Sequence, residues 1–394
     1  MRDTHGWPRT ECPPMPHADD ARLVRDPDDR PLAVFHVDPE RGMSGGEGQV
    51  LGLVRHLAAM GDRQAVAADP RGGLASAAAG LGVAVLPLRI RNHLDVLAGR
   101  RLAGLLASGA YDIVHFHTAR AHAMSAFIGR SRARRIVTRR MDYRLRGGSY
   151  ARWLYNRGTD AVVAISEGVR SALVASGVRA DRIAVVPSGV DVARFADAAA
   201  RRAGERAQLG IGPGEFVVAI VGALEERKGH ATLLQALALV REPPVRLLCA
   251  GTGSLAAALA ARADALGLGA RVRFLGHVDD VPALLAAVDA VAMPSRHEGL
   301  GVAALEAMAA GRPVVATRVG GLPEVVGDAG LLVDVDDPGA LAAALARLAR
   351  EPATARALGE AGRARVAERY TIDAMARGTR AVYRRVLADA RDPR

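Results

Sequence analysis

Short apolar runs alternate with helix-length segments along nearly the whole chain, and this alternation restricts the fold more than any other feature. The first half carries 32-LAVFHV-37, 64-QAVAAD-69, 82-GVAVLPL-88, 112-DIVHFH-117, 135-RIVTRR-140, 161-AVVAIS-166 and 183-IAVVPSG-189. Helical patterns such as 49-QVLGLVRHLAAMG-61 and 94-LDVLAGRRLAGLLASG-109 lie between them. Strands that are apolar throughout must be buried on both faces, as in a parallel sheet covered by helices on each side. The second half repeats the rhythm at 216-FVVAIVG-222, 245-VRLLCAG-251, 271-RVRFLG-276, 289-DAVAMP-294, 313-PVVAT-317 and 330-GLLVD-334. Its helices are expected over 229–241, 254–266 and 281–287, after Glu298, and over 339–350 and 354–388.

Between the halves, 190-VDVARFADAAARRAGERAQLGIGPGE-215 breaks the pattern with charge and ends in a Gly/Pro turn. Two doubly wound Rossmann-like α/β domains facing across a cleft are therefore expected: a first domain over 31–190, a linker over 191–212 and a second domain over 213–365. Ligands in such folds gather at the carboxyl ends of the strands. A length of 394 residues suits two cores rather than one. No apolar run approaches the roughly 20 residues that cross a bilayer. Residues 1–30 are polar and lack a secretory apolar core, so they read as a flexible leader. With only Cys12 and Cys249, the chain reads as cytoplasmic without a structural disulfide.

The net charge of +11 favours anionic ligands, nucleic acid or an anionic membrane face without choosing among them. Locally, 130-RSRARRIVTRRMDYRLRGGSYARWLYNR-157 holds ten arginines against one aspartate, interspersed with Tyr143, Tyr150, Trp153 and Tyr155. It reads either as a binding face or as a solvated surface.

Residues able to do chemistry cluster where strands end. Gly45 and Gly46 follow the first strand, where glycine allows unusual φ angles and close backbone approach to an anion. His115 and His117 end a strand and are expected to point to opposite sides of the sheet. They make no metal pair on that reading, and His117, nearer the cleft, is the one placed to donate a hydrogen bond to a sugar hydroxyl or departing phosphate. Arg227 and Lys228 follow the strand ending at Gly222, and both suit phosphate oxygens. In 291-VAMPSRHEGLGVAALEAMAAG-311, Glu298 is expected to enter a helix that also holds Glu306. Eight residues of helix separate the two by about 12 Å, so they can contact different parts of one elongated ligand but not one atom. The amides of Gly299, Leu300 and Gly301 would face its negative centre. No acidic or histidine cluster shows metal-ligand spacing.

Together GGEG, HFH, EERKG and 298-EGLGVAALE-306 resemble the retaining glycosyltransferase family 4 with the GT-B fold, over about residues 31–380. The resemblance implies an activated donor, usually a nucleoside diphosphate sugar, in the second domain, bound as substrate with no tightly bound cofactor. Glu298 would then meet donor-sugar hydroxyls and Glu306 the ribose. Arg227 and Lys228 would hold the diphosphate, with Gly45 and Gly46 approaching it across the cleft and His117 near the reaction centre. It further implies that residues 366–394 form a helix packing back on the first domain. Where the family often has Gly-Arg-Leu, this chain has Gly222-Ala223-Leu224, which leaves Arg227 as a partial replacement. At the hinge it has 187-PSGVD-191 where the family commonly has asparagine in place of Ser188.

The function expected from this resemblance is same-face transfer of a sugar to a saccharide, lipid or other hydroxyl acceptor. A role in cell-envelope polysaccharide, lipopolysaccharide or glycolipid synthesis follows, with peripheral association at the inner face of the membrane. The alternatives are a GT-B phosphorylase, a sugar-nucleotide epimerase and, more distantly, a basic nucleic-acid-binding protein.

Overall fold

The computed structural model describes residues 30–129, 131–145 and 147–389. The expected leader and Cys12 lie outside the described residues, as do Arg130 and Arg146 of the basic stretch. Within the first lobe the strands are β1 (Ala33–Asp38), β2 (Arg63–Ala68), β3 (Ala84–Pro87), β4 (Ile113–Phe116), β5 (Arg134–Arg139), β6 (Ala161–Ala164) and β7 (Ile183–Val185). They form one parallel sheet in the order β3-β2-β1-β4-β5-β6-β7. The order reverses between β1 and β4, the place where a doubly wound sheet opens a crevice at its carboxyl edge. Helices α1 (Gly45–Ala59), α2 (Gly73–Gly80), α3 (Val96–Ser108), α4 (Ala119–Ala123), α5 (Gly148–Asn156) and α6 (Glu167–Ala175) connect the strands.

Residues 191–212, read as a linker, carry α7 (Ala198–Gln208), which packs on the second lobe. Arg202 and Arg206 reach the carboxylate of Asp289 and carbonyls at the end of the helix before it. Arginines spaced four apart share a helix face, which turns an apparently solvated charged run into a docking surface.

The second lobe contains β8 (Phe216–Val221), α8 (His230–Leu239), β9 (Val245–Ala250), α9 (Ala256–Ala265), β10 (Val272–Gly276), α10 (Val281–Ala287) and β11 (Ala290–Met293). It continues with α11 (Val302–Ala309), β12 (Val314–Thr317), α12 (Leu322–Val326), β13 (Leu331–Val333), α13 (Pro338–Arg350) and α14 (Pro352–Arg369). Its parallel sheet runs β10-β9-β8-β11-β12-β13. Two parallel sheets, each interleaved with helices, establish the two-lobed α/β class expected from the apolar runs.

The chain then returns to the first lobe as α15 (Ile372–Asp389). Tyr383 and Ala376 of this helix are fully buried, and with Val382 and Val386 they join Leu32, Val34, Leu57, Ile113 and Ile136 in one apolar cluster. Arg380 pairs with Asp62 at 2.9 Å, while Asp62 also accepts the Leu32 amide at 2.9 Å. The crossing is fixed by Gly189, where a methyl group would overlap the backbone of Thr371.

Candidate active site

The carboxyl ends of β1, β4, β5 and β6 in the first lobe and of β8 and β11 in the second converge where the lobes meet. After β11, residues 294–301 form a loop, and α11 begins only at Val302. Glu298 therefore precedes the helix it was expected to enter. The physical reason is Gly301, whose φ of 97° is left-handed and so forbids a helical run through it. Leu300 is buried in the apolar core, leaving its backbone rather than its side chain for a ligand. Glu306 lies on α11 and is half-buried; loss of solvent in these surroundings raises its carboxyl to about 7, against a lowering influence from Arg194.

Opposite this loop stands the turn after β8. Gly229, at φ 70°, approaches the Pro294 carbonyl so closely that any side chain would overlap it. The amide of Arg296 donates to the Arg227 carbonyl at 2.8 Å, locking the two loops together. This brings Lys228 Nζ to 2.5 Å from Glu298 Oε2, with both side chains nearly buried. Ser295 Oγ donates to the same oxygen at 3.3 Å. The expected phosphate contact and the expected sugar contact thus form one ion pair. Arg227 is turned aside, with its Nε 2.7 Å from Glu225 Oε2. Gly222 has a φ of 155° and lies alongside the Lys228 side chain.

In the first lobe, α1 starts at Gly45, earlier than the sequence pattern predicts. Ser44 and Glu47 form a reciprocal capping box that satisfies its first turn. Neither Gly45 nor Gly46 has a positive φ, so unusual backbone angles do not explain them. Open space does: a methyl on Gly45 would meet nothing within 4 Å, and one on Gly46 only the Ser44 hydroxyl and the Arg140 side chain.

The histidines correct the expectation of opposite faces. Residues two apart on a strand share a face, and the rings of His115 and His117 stand 4.1 Å apart, centre to centre. His36 on β1 lies in register with His115 on β4 and joins them. Their ring nitrogens lie within 4.8 Å of one another, a separation suited to a metal ion. These nitrogens, however, already have other partners. His115 meets Tyr383 Oη at 2.6 Å and Thr138 Oγ1 at 2.7 Å. His36 meets Gln64 Oε1 at 2.8 Å and His117 Nε2 at 2.9 Å, and His117 Nδ1 faces Arg140 Nη2 at 3.5 Å. A divalent cation would have to displace these bonds beside a guanidinium, so we assign a hydrogen-bonded chain, Gln64–His36–His117–Arg140, with the separate Tyr383–His115–Thr138 set packed against its rings.

The direction of that chain follows from Arg140, which can only donate. His117 Nδ1 must therefore carry a lone pair, so its Nε2–H donates to His36 Nδ1, and His36 Nε2–H donates to Gln64. Burial lowers His36 to about 4 and holds His115 and His117 well below the ordinary histidine value, with neighbouring His and Arg140 charges adding to the effect on the latter two. In this arrangement the single N–H of neutral His117 points inward to His36, away from the donor role expected of it.

Arg140, missed in the sequence, is the cation at this spot. Its backbone carbonyl abuts Gly299, where a methyl would overlap it, and its side chain lies beside Gly46. Burial lowers its pKa, opposed by Asp38 and Glu47, and burial also raises Asp38 to about 7. A basic residue at the carboxyl end of a strand was the available signal. More contacts close the lobes here: Ser166 Oγ donates to the Gly299 carbonyl at 2.7 Å, and the Glu167 and Gly168 amides donate to the Glu324 carboxylate at 3.0 Å.

The basic stretch divides. Arg134, Arg135 and Arg139 bond to Asp160 or to backbone carbonyls. Arg152 and Arg157 are exposed on or beside α5, with Tyr150 and Trp153 stacked 6.0 Å apart.

Two family descriptions match this chain: "Glycosyltransferase Family 4" over residues 43–194 and "Glycosyl transferases group 1" over residues 202–365. Among curated proteins it is 42% identical over 221 residues to a D-inositol 3-phosphate glycosyltransferase from Segniliparus rotundus, covering 52% of this chain and 47% of that one. The Corynebacterium urealyticum protein of the same description is 42% identical over 206 residues, covering 48% and 47%. The chain thus spans about half the length of the curated relatives it matches. Among solved structures, Anabaena Alr3699/HepE in complex with UDP and glucose aligns with a TM-score of 0.79 at 23% identity, over 90% of this chain and 100% of that one. Sucrose-phosphate synthase from Thermosynechococcus elongatus aligns at 0.74 and 23%, over 91% and 99%. These two likenesses bear on the fold, which is GT-B.

Proposed function

Because this chain belongs to the family 4 glycosyltransferases, we propose that it moves a sugar from a nucleoside diphosphate donor to a hydroxyl acceptor with retention at the anomeric carbon. The observation that carries this reading is the Lys228–Glu298 pair at the meeting of the lobes. A buried ammonium paired with a carboxylate is held ready: incoming phosphate oxygens take over Lys228, and Glu298 is released to accept hydrogen bonds from sugar hydroxyls. Arg227 is near enough to exchange Glu225 for phosphate. Glu306 serves the ribose, and the open face at Gly45 and Gly46 leaves room for the diphosphate.

Transfer then breaks the bond between the anomeric carbon and the phosphate oxygen as the acceptor oxygen bonds to that carbon from the same face. The acceptor proton passes to the leaving phosphate oxygen. The protein's part is to orient both substrates and to stabilise the charge that grows on the diphosphate. Arg140 adds positive charge from the first lobe, and His117 supports it as a lone-pair acceptor.

UDP is the first base to test, given the HepE complex with UDP and glucose. For the acceptor, the relatives' descriptions favour a phosphorylated polyol over an envelope saccharide or lipid. The exposed Tyr150, Trp153, Arg152 and Arg157 support contact with an anionic membrane surface; no helix among the described residues is long and apolar enough to cross one. The test is to incubate purified protein with UDP-, GDP- and ADP-sugars and either inositol phosphate or cell extract. Product mass reports transfer, and anomeric NMR couplings report retention. Phosphate-dependent cleavage or epimer formation without an acceptor product would overturn the reading.

A further inference from the structure

A cavity of about 950 Å³ opens at the far end of the second lobe, against the amino ends of its strands. Phe216 begins β8, Val245 begins β9, and Asp289 and Pro313 precede β11 and β12; all four line it. The candidate active site is at the carboxyl ends of the same strands. Six residues of β8 separate the two by about 20 Å.

Arginine dominates the lining, with Arg202, Arg206, Arg246, Arg271, Arg312 and Arg356 set against the acids Glu215 and Asp289. Four of these arginines have structural work. Arg202 and Arg206 hold Asp289, Arg246 reaches Glu215 and the Gly210 carbonyl, and Arg271 caps the Val240 and Val245 carbonyls.

Arg312 differs. It follows α11, and its Nε is fully buried with no hydrogen-bond partner. The whole guanidinium lacks an acceptor among the described residues. Burial is the main force lowering it to about 10; Arg202, Arg363 and Arg206 add like charge and Asp289 opposes them, so it stays cationic near neutral pH. Arg356, exposed at the rim, likewise has no acceptor among the described residues.

A cation in this position is stable when something supplies the missing acceptors and offsets the surrounding charge. Phosphate does both, since its oxygens accept the two-pronged donation of guanidinium groups. The volume exceeds what phosphate alone fills, and Phe216, Pro213, Pro244 and Pro313 provide an apolar wall for an attached organic body.

We propose that this cavity is a second ligand site, separate from the cleft, which binds a small phosphorylated organic molecule through Arg312 and Arg356. The proposal does not depend on the glycosyl-transfer reading.

Isothermal titration at near-physiological salt tests it, with inorganic pyrophosphate in one arm and ribose 5-phosphate in the other. The parent protein carries Arg227→Gln and Lys228→Gln, which disables phosphate binding in the cleft. That parent is expected to bind one equivalent of ribose 5-phosphate, and more tightly than pyrophosphate. Adding Arg312→Met should weaken binding at least tenfold, and Arg312→Lys should recover part of it. Equal affinity in the parent and the Arg312→Met protein overturns the proposal. So does the absence of binding in the parent, which would confine phosphate recognition to the cleft, or a preference for pyrophosphate, which would remove the organic body. Should Arg312→Met fail to fold, Arg356→Ala on the exposed rim takes its place: several-fold weakening supports the site, and unchanged binding refutes it.

Discussion

Glu298, Lys228 and Gly299 concentrate the consequences at the scale of single residues. Glu298→Gln keeps shape but removes the charge that holds Lys228, so kcat on an identified nucleotide sugar should fall by about 10² or more. Steady-state kinetics with that donor checks this; near-wild-type turnover would refute the assignment. A methyl at Gly299 would press on the Arg140 carbonyl and keep the lobes from meeting as they do. Displacement by about 1 Å at a reacting centre costs on the order of 10²-fold, so Gly299→Ala should lose activity without losing either lobe's fold. Circular dichroism alongside kinetics separates those effects.

Glu306 carries a pH signature. With its carboxyl raised to about 7 by burial, it ionises across the neutral range, and the carboxylate is the better acceptor for ribose hydroxyls. Donor KM should therefore fall as pH rises through about 7, and Glu306→Gln should flatten that dependence. A profile of the same shape in the variant would remove Glu306 from the nucleotide site.

Between elements, the Gln64–His36–His117–Arg140 chain links β2 and β1 to the ends of β4 and β5, and His115 separately joins β4 to β5 and α15. His36→Phe removes the acceptor for His117 Nε2–H and frees His117 to take the other tautomer, which sets an N–H against Arg140. The expected outcome is about a tenfold lower kcat with little change in donor KM, partly restored in His36→Asn, whose Oδ1 can replace Nδ1. Equal damage from Phe and Asn would reduce His36 to packing.

Burial of these histidines also makes the fold sensitive to acid. Burial depresses His36, His115, His117, His122 and His230 below their unfolded value of 6.5, while Asp38 and Glu306 are raised to about 7 and Asp142 and Glu324 are raised as well. As pH falls below 6.5 the unfolded chain takes up protons that these folded histidines refuse, costing up to about 1.4 kcal/mol per pH unit for each. These four carboxylates act in the opposite sense down to about pH 4, but the five histidines outnumber them. Tm should decline between about pH 6.5 and 4, and a flat Tm there would contradict the assigned neutral histidines.

The parallel strands were legible because burial on both faces leaves an unbroken apolar run. Strand register was not: nothing local shows that His36 lies opposite His115, or that Tyr383 reaches a ring 268 residues away. The glutamate signature was legible as spacing, yet Gly301 shifts the helix start and changes what that spacing means. Arg140 was hidden among many arginines whose roles diverge only after folding.

For the molecule as a whole, α15 is as much part of the first lobe as β1 is. Tyr383→Ala removes a fully buried ring and should destabilise that lobe by about 3–5 kcal/mol, with denaturant unfolding followed by Trp153 fluorescence as the check. An unchanged midpoint would mean that the helix only rests on the lobe.

This crossing also bears on synthesis. A ribosome makes β1 first and α15 more than 300 residues later, and early domains ordinarily fold while later ones are still being made. Here the first sheet emerges with its Leu32, Val34 and Ile136 face uncovered and His115 lacking its tyrosine. It must wait in that state through translation of the entire second lobe, so the order of manufacture is the reverse of the order in which the first lobe can be finished.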